Sequence, residues 1–345
     1  MLSTEMYMLR CLDLARLGIG KARPNPLVGC VIVHQNKIIG EGWHKRYGDW
    51  HAEVNAIESV RDKALLAESE FFINLEPCSH FGKTPPCANL LAQIRPKKVF
   101  IANIDSNPLV AGKGIAILQQ AGIEVETGIL AKEGYQLNCR FFTFMQAQRP
   151  YIILKWAETA DGFIAGENYQ PISVSNALSH QRVHQYRAEE HAIWIGKNTA
   201  LFDNPQLNVR LWVGQNPVRI VIDNELTLPK NLHIWNENAP TICFNTKFNK
   251  QERNITWVKI DHTPHYLSHC LQYLYQQNIQ SVLVEGGAKL LNSFIEQDLY
   301  DEIRIFKSPK VIGRGIKAPT LPYLPHFQIE KIQEDTLYIL RKEQP

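Results

Sequence analysis

Three residues able to hold a zinc ion and one carboxylate able to move protons stand within the first 87 residues of this chain. The run Glu76-Pro-Cys78-Ser-His80-Phe-Gly-Lys83-Thr-Pro-Pro-Cys87 follows His51-Ala-Glu53. Two thiolates and one imidazole would leave the fourth position of a tetrahedral zinc open to water, as a catalytic site requires. A closed structural site would need a fourth protein ligand, and His80 is the obvious candidate. Zinc lowers the pKa of bound water to about 7, so hydroxide becomes available near neutrality to attack an amidine-like carbon that carries an amino group. Glu53 would take that water's proton and deliver protons to the ring nitrogen and the departing ammonia. A closed site would leave Glu53 without a task.

The elements that must position these residues can be read around them. Residues two apart do not share a face within a regular helix, so His51 and Glu53 should converge from a loop-to-helix junction, with a helix over Ala52 to Val60. Pro85 and Pro86 suit the first turn of a helix through Ala88 to Gln93. Cys87 would then sit near a helix N-terminus, which favours its thiolate. Met6 to Leu17 reads as an amphipathic helix, and Val28 to Val33 with Lys37 to Glu41 as paired strands across a polar turn. Apolar runs at Phe71 to Leu75, Lys98 to Ala102 and Ile123 to Glu126 alternate with helical patterns, including Ile115 to Gln120. The pattern is an α/β layered arrangement. Lys132 to Gln148 reads as one helix, ended by Arg149-Pro150, which places a domain boundary at 148/149.

The second half, residues 149–345, repeats the alternation. Strands are expected over Tyr151 to Ala157, His191 to Ile195, Val218 to Asp223, Thr241 to Phe244, Trp257 to Ile260, Ser281 to Glu285, Glu302 to Lys307 and Thr336 to Arg341. Helices fit Asn176 to Arg187, His265 to Gln276 and Lys289 to Gln297. Gly286-Gly287 before the last helix would let backbone amides approach phosphate oxygens, although paired glycines also serve close helix packing. No Gly-x-Gly-x-x-Gly follows the first strand of this half, so a standard dinucleotide-binding crossover is not indicated. His34, His184, His262, His265 and His269 lack a Cys or carboxylate companion and read as polar surface.

A chain of 345 residues suits two domains. The net charge of +3, without Lys/Arg runs, argues against a dedicated nucleic-acid binder and leaves small phosphorylated substrates open. Seven scattered cysteines do not read as a disulfide framework and point to a reducing cytoplasm. No apolar run is long enough to span a bilayer, and the amphipathic first helix is no secretory signal.

The loop of eight residues between Cys78 and Cys87 is longer than the Cys-x-x-Cys of the general deaminase signature. With Asn25-Pro-Leu-Val-Gly29, Gly42-Trp-His44 and Asp105-Ser-Asn107-Pro, it resembles the riboflavin-biosynthesis deaminases. Lys155-Trp-Ala-Glu-Thr-Ala-Asp-Gly162, Arg187-Ala-Glu-Glu, Gly196-Lys-Asn-Thr199, Asp203-Asn-Pro-Gln-Leu207-Asn-Val-Arg210 and Glu285-Gly-Gly287 resemble the fused reductase. The resemblance is nearly end to end, and implies a bifunctional zinc-dependent pyrimidine deaminase and NADPH-dependent reductase. The fold implied is a cytidine-deaminase-like three-layer domain followed by a dihydrofolate-reductase-like domain. The first would remove the amino group of a phosphoribosylamino-pyrimidine, and the second would reduce the ribosyl group to a ribityl chain.

By motif, the resemblance makes His51, Cys78 and Cys87 the zinc ligands, Glu53 the catalytic carboxylate, and Asn25, His44, Lys83, Asp105 and Asn107 the deaminase substrate contacts. Thr199, Asp203 and the run Gly287, Ala288, Lys289, Leu290, Leu291, Asn292 and Ser293 would contact NADPH. Arg187, Leu207, Arg210 and Glu285 would contact the reductase substrate, the two arginines as forks for its phosphate. A dimer through the reductase half is also implied. The chain departs from the family pattern at Ser106, at Ala160 and over Ile172-Ser-Val-Ser175. Two other readings share the zinc chemistry. A nucleic-acid base deaminase would need a basic, aromatic-rich groove and leaves the second half unexplained. A zinc-stabilised binding protein leaves Glu53 unexplained.

Overall fold

A computed structural model describes residues 3–80, 85–107, 110–170, 172–321 and 327–342. The chain divides into two compact units, Met1–Gln148 and Arg149–Pro345. Among the described residues no helix is long and apolar enough to cross a membrane, and all seven cysteines are free thiols.

The first unit is built on β1 (Gly29–His34), β2 (Lys37–Trp43), β3 (Glu70–Leu75), β4 (Lys98–Asn103) and β5 (Glu124–Thr127), in the order β2-β1-β3-β4-β5. The first two pairings are antiparallel and the β3/β4 and β4/β5 pairings parallel. The strands read as continuous apolar runs because both faces are covered. Cys30, Ile32, Phe71, Ile73, Val99 and Ile101 pack on one side with Ala56 of α2 (Ala52–Ser59), Leu91 of α3 (Cys87–Ile94) and Leu118 of α4 (Lys113–Gln120). The alternate residues Val31, Val33, Phe72 and Phe100 pack on the other with Tyr7, Met8 and Cys11 of α1 (Thr4–Arg16). This period of two through a covered sheet produces the three layers of the cytidine-deaminase-like fold. Gly42 lets α2 lie close on β2, since a Cβ there would stand 2.2 Å from the Ala56 nitrogen.

The stretch expected as a single helix over Lys132 to Gln148 is two helices, α5 (Ala131–Leu137) and α6 (Cys139–Ala147). Asn138 breaks them at φ −103°, ψ 18°. Its Oδ1 accepts from the Leu27 nitrogen at 2.8 Å and its Nδ2 donates to the Leu27 carbonyl at 2.9 Å, so the break is pinned to the segment bearing Asn25. The turn re-aims α6 so that Phe141 and Phe142 pack on Leu75.

The second unit holds a ten-stranded sheet in the order β11-β12-β10-β9-β8-β13-β6-β14-β17-β16. Its strands are β6 (Tyr151–Glu158), β8 (Ala192–Ile195), β9 (Val218–Ile222), β10 (Thr241–Asn245), β11 (Lys250–Glu252), β12 (Ile255–Lys259), β13 (Ser281–Gly286), β14 (Glu302–Lys307), β16 (Gln328–Ile332) and β17 (Asp335–Arg341). Short strands β7 (Phe163–Ala165) and β15 (Ile316–Lys317) pair separately. The run from β12 to β14 is parallel, with antiparallel pairs at both ends. On one face α9 (Tyr266–Gln276) and α10 (Ala288–Glu296) cover Trp194, Val284 and Ile303. Other helices are α7 (Ala177–Glu189) and α8 (Lys197–Asp203). This is the dihydrofolate-reductase-like arrangement the resemblance implies, with α8 and the strands β7, β11, β15 and β16 in addition to the elements expected from periodicity.

Candidate active sites

His51 is the N-cap of α2, with extended backbone at φ −71°, ψ 167°, and Glu53 lies in the helix's first turn. The junction therefore turns both side chains inward: Glu53 is 3% exposed. Cys87 begins α3 with Pro86 as its N-cap, so Pro85 and Pro86 precede the helix instead of forming its first turn. His51 Nδ1 lies 3.4 Å from the Sγ of Cys78 and 3.4 Å from that of Cys87. The Cys87 backbone N–H donates to Cys78 Sγ at 3.3 Å. All three donor atoms fall within 4.8 Å of one another, and no fourth His, Cys, Asp or Glu joins them among the described residues. A tetrahedral zinc with nitrogen and sulfur ligands at about 2.0 and 2.3 Å separates them by about 3.5 Å, so this donor set fits the ion. His80 lines the adjoining cavity but is not in the cluster.

Hydrogen bonds among the donors set their charges, and the thiolate expected at Cys87 falls to Cys78 instead. Cys87 donates to Cys78 and so holds the Cys78 thiol down at about 4 against the opposing effect of burial, while Cys87 is correspondingly pushed up. The hydrogen bond to Cys78 raises His51. Burial, then the nearby Cys78 charge, raises the Glu53 carboxyl above its ordinary range. A carboxyl raised in this way can both accept and return a proton.

A cavity of about 350 Å³ opens on the cluster, lined by Asn25, His44, His51, Glu53, Cys78, Asp105 and Asn107. Asn25 Nδ2 donates to His44 Nε2 at 3.0 Å, and His44 Nδ1 donates to the Trp50 carbonyl at 3.1 Å. Those partners fit a neutral ring, which burial also favours by lowering the His44 pKa. His44 stands edge-on to His51, with ring centroids 5.4 Å apart. Burial raises Asp105 to about 6. Lys83 lies outside the described residues. The sequence reading missed Glu76, and also Phe141 and Met145, which reach the cavity from α6. The two α6 residues were hidden because Lys132 to Gln148 read as one uninterrupted helix.

In the second unit a cavity of about 210 Å³ is lined by Thr199, Asp203, Glu285, Gly287, Ala288 and Leu291 together with Lys155 and His180. Gly287 takes φ +75° as the N-cap of α10, and a Cβ on Gly286 would stand 3.0 Å from Thr199 Oγ1. The paired glycines thus serve both purposes: they allow close packing against α8 and leave a helix N-terminus open at the cavity wall. Of the remaining α10 residues expected at the cofactor, Lys289 is exposed, Asn292 is half-buried, Leu290 lies in the core and the Ser293 hydroxyl donates to the Lys289 carbonyl.

Three expectations change here. The Arg187 fork spends its Nε and Nη2 on Glu285, both at 2.8 Å, so the paired geometry expected for phosphate is made to a carboxylate. Leu207 is 2% exposed, at φ +53°, in a cluster with Ile193, Ile195 and Val221, so any substrate contact at this position comes from its backbone. His184, expected at the surface, is buried, and its Nδ1 accepts from the Arg210 nitrogen at 3.3 Å. Burial, reinforced by Arg187 and Arg210, lowers it to about 4. Arg210 itself is exposed and donates to Asn208 Oδ1 at 3.0 Å. Lys155, missed as a site residue, lies 3.9 Å from Glu285, and its signal was a lone cation in the apolar run of β6.

Comparison with known proteins accords with these two sites. A family model of the RibD C-terminal domain matches residues 150–338, and one of the cytidine and deoxycytidylate deaminase zinc-binding region matches residues 1–103. The chain is 38% identical to the riboflavin biosynthesis protein RibD of Bacillus amyloliquefaciens, over 96% of this chain and 93% of that one. It is 35% identical to the protein of the same name from Escherichia coli, over 95% of this chain and 96% of that one. Among solved structures it is similar to a diaminohydroxyphosphoribosylaminopyrimidine deaminase/5-amino-6-(5-phosphoribosylamino)uracil reductase from Thermotoga maritima. The TM-score is 0.89 at 35% identity, covering 98% of each chain.

Proposed function

Because the chain belongs to the RibD family, bifunctional deaminase and reductase enzymes of riboflavin biosynthesis that use zinc and NADPH, we propose that residues 1–148 deaminate and residues 149–345 reduce. The substrate of the first step would be 2,5-diamino-6-(5-phosphoribosylamino)pyrimidin-4(3H)-one. The observation that carries this reading is an open three-donor cluster, His51, Cys78 and Cys87, with the buried Glu53 beside it and no fourth ligand among the described residues.

When bound, zinc supplies Lewis-acid activation of water. Glu53 accepts the proton from that water and returns protons to the ring nitrogen and the leaving amine. Asn25 and His44 hold each other, and with Asp105 and Asn107 read the polar edge of the pyrimidine. Phe141 and Met145 supply an apolar wall for the ring. Lys83 is the cation that the family pattern offers for the phosphate.

In the second unit NADPH, when bound, supplies the hydride that reduces the opened ribose. Thr199, Asp203 and the N-terminus of α10 at Gly287 and Ala288 hold it, an assignment supported by the glycine cradle against α8. Glu285 is held in place by Arg187 and meets the substrate at the cavity wall. Arg210, the more exposed of the two arginines, takes the phosphate. Arg210→Ala is therefore expected to raise the KM of the phosphorylated reductase substrate about tenfold with kcat little changed. An unchanged KM would remove Arg210 from the phosphate site.

A cytoplasmic location accords with the seven free thiols. A homodimer through the reductase half completes the reading. The direct test supplies the diaminopyrimidinone ribotide with NADPH and follows ammonia and cofactor oxidation separately. Ammonia should appear without NADPH, and oxidation should follow it; oxidation with no ammonia would refute the assignment of deamination to this chain.

A further inference from the structure

Glu76 is a buried carboxylate of the first unit, 3% exposed, that no proton transfer in the deamination uses. It follows the last residue of β3, and its side chain reaches across to a different part of the chain. Its Oε2 accepts from the backbone N–H of Asp105 at 3.2 Å and of Gly112 at 2.9 Å, and its Oε1 accepts from that of Ile115 at 3.2 Å. Gly112 is the N-cap of α4 and Ile115 lies in its first turn. Those N–H groups have no partner within the helix, and the positive end of the helix dipole faces the anion. Gly114 makes the approach possible: a Cβ there would stand 2.2 Å from the Pro77 carbonyl oxygen and 3.1 Å from Glu76 Oε1. One carboxylate therefore ties the start of the Asp105 segment to the start of α4. Asp105 continues the chain of contacts, its Oδ1 accepting from the Asn107 N–H at 2.7 Å.

We propose that Glu76 is a positioning residue for the deaminase, a carboxylate that fixes Asp105 and Asn107 at the cavity by clamping their segment to the N-terminus of α4. This rests on the reading that Asp105 and Asn107 meet the pyrimidine. Acceptors are required at both side-chain oxygens because all three partners are backbone N–H donors. A glutamine presents an NH₂ to one set of them and loses that side of the clamp.

A double-mutant cycle of Glu76→Gln and Asp105→Ala on the full zinc-loaded chain tests the proposal, with KM and kcat for ammonia release, zinc content, and NADPH-dependent reduction of the deaminated substrate as readouts. Glu76→Gln should raise the deaminase KM by about tenfold to a hundredfold, the loss expected for hydrogen bonds to a charged group, with zinc content and reduction unchanged. In the double variant its effect should shrink without vanishing, because one of the two side chains it positions is already gone. Full additivity would overturn the proposal by showing that Glu76 acts elsewhere. Loss of zinc in Glu76→Gln would overturn it too, by assigning the residue to the Cys78 segment. An Asp105→Ala variant with unchanged KM would instead refute the underlying substrate reading, and the clamp's purpose with it. Should Glu76→Gln not be recovered folded, Glu76→Asp, which keeps the carboxylate acceptors but draws them back from the α4 N–H groups, replaces it, and its cycle with Asp105→Ala decides by the same criteria.

Discussion

Glu53→Gln is expected to keep its zinc and stop releasing ammonia. The three donor atoms that fit the ion are those of His51, Cys78 and Cys87, so the substitution removes no ligand. Glutamine has nearly the volume and shape of glutamate, so the packed start of α2 should accept it. The site already disfavours a charge at this position: burial, then Cys78, raises the Glu53 carboxyl. A neutral isostere should therefore leave stability unchanged or slightly improved. What is lost is the acceptor for the water's proton and the donor to the leaving amine. General acid–base catalysis is worth about 10² to 10⁴-fold, and because the same carboxyl serves more than one transfer, the loss in kcat should lie at the upper end of that range. Ammonia release, elemental analysis for zinc and a thermal melt together decide it. Reduction of the deaminated substrate should persist, since its cavity belongs to the other unit. Full ammonia release in this variant would remove the proton shuttle, and loss of zinc would show that Glu53 holds the metal site together.

How much of this was legible in the residues depends on distance along the chain. The strands of both sheets were, because residues such as Val31 and Ile32, or Trp194 and Ile195, are buried on opposite faces and leave unbroken apolar runs. The zinc cluster was legible because its ligand types and local spacing are dictated by coordination chemistry. Helix α8 was not: it has only seven residues, and Leu201 and Phe202 are 40% and 44% exposed, so no apolar stripe announces it. The break at Asn138 was equally hidden, since its partner Leu27 lies 111 positions away. Arg187 and Glu285 lie 98 positions apart, and periodicity carries no information about such a pair. The arginine therefore read as a phosphate fork, the ordinary use of that geometry, where the fold supplies a carboxylate. Glu76 was read only as part of the Pro-Cys motif, because its hydrogen bonds to Gly112 and Ile115 depend on where α4 docks.

Glu285→Gln is expected to cost the reductase unit both its activity and a large part of its stability. Arg187, at 12% side-chain exposure, gives Glu285 two hydrogen bonds of 2.8 Å, and Lys155, also at 12%, lies 3.9 Å away. Burial by itself would raise the Glu285 carboxyl; the Arg187 and Lys155 charges outweigh it and hold the carboxyl at about 2. Removing the charge leaves two cations buried side by side. Breaking a buried pair in this way typically costs about 3–5 kcal/mol. Lys155, already lowered by burial, then relieves part of that cost by releasing its proton. Replacing Arg187 with Leu in the same chain removes one of the stranded cations, so the double variant should regain stability without regaining reduction. The pH dependence follows from the direction of the shift. Glu285 titrates lower in the folded chain than its ordinary 4.5, so its contribution is complete above that value and is lost as pH falls from about 4.5 towards 2. Melts of the native chain across that window should fall more steeply than those of Glu285→Gln, which has no carboxylate left to protonate. Parallel pH profiles for the two, or a variant as stable as the native chain at neutral pH, would show that the Arg187 pair contributes nothing to the fold.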